Sequence, residues 1–62
     1  MKVREVLRRL RRDGWFPVKS NSGHRQFKHP TKPGRVTVSG KLAHTIPPGT
    51  SASIFKQAGW SD

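Results

Sequence analysis

The chain has 62 residues, 31% of them hydrophobic, and carries 13 Lys and Arg against three acidic residues, a formal charge of +10. At that length there is room for one domain, taken as 1–62, which buries only about 60% of the surface its unfolded chain exposes. Cysteine is absent, which excludes disulfides, thiolate metal sites and a cysteine nucleophile; no apolar run reaches the length of a signal-peptide core or a membrane span, so a soluble, cytoplasmic protein is expected.

In chain order, Val3, Val6, Leu7 and Leu10 fall at i, i+3, i+4 and i+7, the spacing of one apolar helix face. Lys2, Arg4, Arg8, Arg9, Arg11 and Arg12 cover the rest of that helix, and Gly14 stops it, so it ends near Arg12. These arginines are either solvated or turned toward a ligand. Residues 15–19 read as a short aromatic strand, at an edge or bulged because Pro17 lies inside it. Residues 20–23 form a turn by composition. Residues 24–29 follow as a second strand; with Phe27 inward, Arg25 and His29 lean to the core side while His24, Gln26 and Lys28 point outward.

Residues 30–34 punctuate a hairpin connection, and 35–39 form the clearest strand, with Val36 and Val38 inward. Residues 40–49 are irregular. Thr50 reads as the N-cap of a helix of about eight residues whose stripe is Ile54, Phe55 and Ala58, with Gly59 as its C-terminal cap. The order is α-β-β-β-α, an α+β fold with two helices on one face of a three-stranded antiparallel sheet. The other face is polar, basic and open to a ligand.

A charge of +10 on so small a chain repels itself. It is tolerated for solubility, for an anionic partner, either nucleic acid or an acidic protein, or for both; the plain alternative is a merely basic small protein. Proton transfer near neutral pH falls to His24, His29 and His44. Their spacings of 5 and 15 residues lack the short local pairs of a zinc motif, so no metal is expected. Glu5, Asp13 and Asp62 belong to no recognisable nucleophile elbow. His24 is the best placed of the three histidines, because it follows the small pair Ser22-Gly23 and opens a strand whose exposed side continues through Gln26 and Lys28. Such a histidine can move a proton on RNA while neighbouring cations neutralise the phosphate, with the 2′-hydroxyl as nucleophile. The plain alternative is an exposed polar residue without a catalytic role. His29, before Pro30, is expected to stabilise the hairpin; His44 either reaches the ligand or caps backbone groups.

Gly14-Trp15-Phe16, then Ser22-Gly23-His24-Arg25-Gln26-Phe27-Lys28-His29-Pro30, then Gly34-Arg35-Val36-Thr37-Val38, and finally Pro47-Pro48-Gly49-Thr50 with Ser53-Ile54-Phe55-Lys56-Gln57-Ala58-Gly59 together resemble the HicA/YcfA family of toxins, over nearly the whole chain and in the expected order. The resemblance implies a double-stranded-RNA-binding-domain-like fold, a translation-independent mRNA endoribonuclease, and a HicB-type antitoxin that binds and blocks it. It also implies that His24 is the catalytic histidine, matching the family's Gly-Ser-His motif with the small pair exchanged to Ser22-Gly23. On this reading RNA lies along Arg25 and Lys28, with Gln26, Ser22, Gly23 and Lys19 completing its contacts, and no cofactor, metal or membrane is involved. Two other readings of the same residues are a module that grips structured RNA without cleaving it, and a decayed toxin that retains only antitoxin binding.

Overall fold

Valines and leucines recur at helical spacing from Val3, and in the computed structural model, which describes residues 1–18 and 23–61, they form α1 over Val3–Arg12. Val3, Val6 and Leu10 are buried on its inner face, with Leu7 partly buried beside them. The first-turn N–H groups, which have no partner within a helix, are met from outside it. Val3 N–H donates to the His44 carbonyl at 3.0 Å and Arg4 N–H to that of Leu42 at 3.1 Å. Glu5 Oε1 turns back to accept the Lys2 N–H at 2.7 Å.

At the other end of α1, Gly14 adopts φ +99°. Trp15 N–H then donates to the Leu10 carbonyl at 2.9 Å and Gly14 N–H to that of Arg11 at 3.1 Å. This Schellman ending turns Trp15 back beside Leu10, where it is only 2% exposed.

Three antiparallel strands follow: β1 (Phe16–Pro17), β2 (His24–Lys28) and β3 (Val36–Ser39), in the order β1-β2-β3. β1 is shorter than the expected 15–19. The helix cap draws Trp15 into the core, and Pro17 has no N–H to donate to the ladder; Lys19 lies outside the described residues. Val18 N–H donates to the Gln26 carbonyl at 2.8 Å and adds one bond beyond the strand. β2 stops before His29, and β3 starts one residue after the expected Arg35. Phe27, Val36 and Val38 are buried on the inner face.

The second helix, α2, runs over Pro48–Ala58, eleven residues rather than about eight. Thr50 is therefore not its N-cap but lies within the first turn. Pro47 holds the N-cap position in an extended conformation, and Pro48 opens the helix, where its missing N–H removes no helical bond. Ile54 and Ala58 are buried against the sheet. A second Schellman ending closes α2, with Gly59 at φ +76° and Trp60 N–H donating to the Phe55 carbonyl at 2.9 Å. Both helices cover the Phe27, Val36 and Val38 face, giving the expected α-β-β-β-α arrangement with the opposite face open. Among the described residues no helix is long and apolar enough to cross a membrane.

Candidate nucleic-acid interface

Directly opposed residues of an antiparallel pair project from the same face of a sheet. The register sets Phe16 opposite Lys28, Gln26 opposite Thr37 and His24 opposite Ser39. Because Phe27 and Val38 point into the core, these six residues all belong to the open face. His24, Gln26 and Lys28 thus share one surface, as their alternation along the chain predicted.

His24 is exposed at the first position of β2. Gly23 leads into it at φ +81°, a conformation that favours glycine, and a Cβ there would meet none of the described residues within 4 Å. The glycine is needed for the direction of the backbone rather than for space. Ser22 lies outside the described residues.

Arg35, which was not among the expected RNA contacts, reaches this face through its side chain. Its guanidinium donates to Gln26 Oε1 at 2.7 Å, which uses one of its five N–H donors and holds the group beside Gln26. The sequence signal was present: Arg35 precedes Val36, so alternation places it outward. Arg25 is half-buried on the opposite side of β2 from His24, and its guanidinium donates to the Gly40 carbonyl at 2.8 Å. The structure therefore does not bring Arg25 together with Lys28.

His29 serves the scaffold. His29 Nδ1 accepts the N–H groups of Thr31 at 3.1 Å and Lys32 at 3.2 Å. That leaves its Nε2–H to donate to the Asp13 carbonyl at 2.7 Å, and the hairpin is held as expected. His44 accepts the first N–H of α1 through its backbone carbonyl. Among the described residues no group of three or more His, Asp or Glu is placed to hold a metal ion.

Asp13 plays a part that its sequence position concealed. Its Oδ2 accepts Lys32 Nζ at 2.7 Å, Trp15 Nε1 at 3.0 Å and Trp60 Nε1 at 3.1 Å. These hydrogen bonds, that from Lys32 foremost, hold its carboxyl at about 2, below the usual 3.8. Nearby, the Arg9 guanidinium stacks over the Trp60 ring at 4.3 Å and the Phe55 ring at 5.0 Å. This arginine of α1 is neither merely solvated nor turned toward a ligand; it joins the two helices.

A family model described as the HicA toxin of bacterial toxin-antitoxin matches residues 3–60, from the first turn of α1 to Trp60. No curated protein matches the chain.

Proposed function

Since the chain belongs to the HicA toxin family of bacterial toxin-antitoxin systems, we propose that it is an mRNA endoribonuclease that uses His24 and is held inactive by a HicB-type antitoxin. The reading takes the whole chain, 1–62, as one toxin domain acting in the cytoplasm. Its main support is that an exposed histidine shares an uncovered sheet face with Lys28 and the Gln26-held guanidinium of Arg35.

The strand's phosphates lie against Lys28 and Arg35, and His24 accepts the proton of a ribose 2′-hydroxyl. The 2′-oxygen forms a bond to the adjacent phosphorus as the bond from phosphorus to the 5′-oxygen breaks. A proton from water or a second acid completes the departing 5′-hydroxyl, and a 2′,3′-cyclic phosphate remains on the other fragment. The two cations stabilise charge that grows on the phosphoryl oxygens. This route consumes neither a protein nucleophile nor a cofactor. A partner with an acidic surface complements the +10 charge and excludes the strand by covering this face.

The test is cleavage of a defined RNA by the wild-type chain and by His24→Ala, with the new ends identified by mass spectrometry. A fall of at least about 100-fold in rate is expected for loss of the general base. Circular dichroism should be unchanged, because His24 adds nothing to the core. Equal cleavage by the two folded proteins overturns the role of His24, and RNA binding without cleavage by the wild type identifies a binding module instead.

A further inference from the structure

Phe16 is a large aromatic side chain left 46% exposed within a strand, although Trp15 before it and Phe27 on the neighbouring strand are buried. The cause is local. The Schellman ending of α1 commits Trp15 to the core, and strand alternation then sends Phe16 to the opposite face. There it stands directly across from Lys28, on the face that also carries His24 and the Arg35 guanidinium. Neither α1 nor α2 covers that face, so the ring stays in water while a cation stands beside it.

We propose that Phe16 is a stacking platform for an unpaired nucleobase, and that it makes the chain select single-stranded over double-stranded RNA. The proposal rests on the open face being the RNA-cleaving face. A base offers a flat apolar surface to the ring, and its own backbone phosphate is placed for Lys28; few other polyanions supply both. From Lys28 back to His24 is about 13 Å along β2, at roughly 3.3 Å per residue. A short extended stretch of RNA spans that distance, so one strand can stack at Phe16 and present a 2′-hydroxyl at His24. A duplex cannot, because its bases are already paired and stacked and expose only their edges and 2′-hydroxyls in the shallow groove.

The test uses His24→Ala as the background, so that RNA stays intact during binding measurements. Dissociation constants are measured for a short unstructured RNA oligonucleotide and for its duplex with the complement, at one salt concentration. The proteins compared are H24A, H24A with Phe16→Leu, and H24A with Phe16→Trp. Leucine keeps an apolar side chain without a π-face, whereas tryptophan restores one. The expected result is single-strand binding weakened about 5- to 150-fold by leucine and restored by tryptophan, the range for loss of one base–aromatic stack. Duplex binding should change by less than about twofold, because no stack is lost there.

Equal losses on both RNAs, or single-strand affinity unchanged by leucine, overturn the proposal. Failure of the cleavage reading looks different, since H24A then cuts RNA as the wild type does, or neither protein cuts it, whatever stands at position 16. Absence of any RNA binding by folded H24A overturns both.

Discussion

Trp15 and Trp60 donate their indole N–H groups to one oxygen, Asp13 Oδ2, at 3.0 and 3.1 Å. Each tryptophan occupies the same position of a Schellman ending, one closing α1 and the other α2. Lys32, from the connection between β2 and β3, joins them at 2.7 Å and also donates to the Ala58 carbonyl at 3.1 Å. A single carboxylate thus ties both helix ends to the hairpin.

Asp13→Ala should therefore destabilise the fold by about 2–3 kcal/mol, since two indole donors and an ammonium lose a charged acceptor. For a domain of this size each kcal/mol moves the melting temperature by roughly 4–8 °C. Thermal unfolding followed by circular dichroism measures the effect, and an unchanged melting temperature contradicts the clamp. Lys32→Ala should cost less, because the Lys32–Asp13 pair is about one-third exposed and water already weakens it.

Acid should reveal the same carboxylate. Its folded value of about 2 lies below the usual 3.8, so between these values the unfolded chain binds the proton more readily than the folded one. Stability from Asp13 is then fully present above the unfolded value and is lost as pH falls toward about 2. Urea midpoints measured from pH 5 downward should decline through this window, and Asp13→Asn should flatten the decline. A variant that retains the full acid dependence assigns it to other groups.

Gly14 and Gly23 both have positive φ, yet alanine should act differently at the two positions. At Gly14 an added Cβ would lie 2.9 Å from His29 Nε2, pressing on the ring that donates to the Asp13 carbonyl. Backbone strain and displacement together should cost about 1–3 kcal/mol. At Gly23 an added Cβ meets none of the described residues within 4 Å, so the backbone cost of about 1–2 kcal/mol is the one expected. Gly23→Ala should instead lower RNA cleavage more than stability, because it re-aims His24. Paired melting and cleavage measurements separate the two, and a larger melting loss at Gly23 than at Gly14 would refute the comparison.

Salt dependence distinguishes the arginines. Each phosphate contact on a single strand contributes a log-log slope of about −0.7 to RNA affinity. Arg35→Ala and Lys28→Ala should each flatten the slope by roughly that amount. Arg25→Ala removes the bond to the Gly40 carbonyl and should lower stability while leaving the slope nearly unchanged. If Arg25 alters the slope as much as Arg35, RNA runs over both sides of β2 and the open-face assignment is wrong.

Local periodicity was enough to determine α1, the inward pair Val36 and Val38, and the common outward direction of His24, Gln26 and Lys28, because a helix or strand repeat depends only on near neighbours. The +10 charge set the expectation of an anionic partner. The start of α2 was also legible locally, but in Pro47-Pro48 rather than Thr50, since a proline is best tolerated where a helix has no N–H to use. Tertiary structure decided what the remaining polar side chains do. Asp13 meets Trp60 across 47 positions and Lys32 across 19; Arg25 reaches Gly40 across 15, and Arg9 stacks on Trp60. A hydrogen bond or a cation–π contact forms only within a few ångströms, and which distant residues come that close is set by how the helices seat on the sheet.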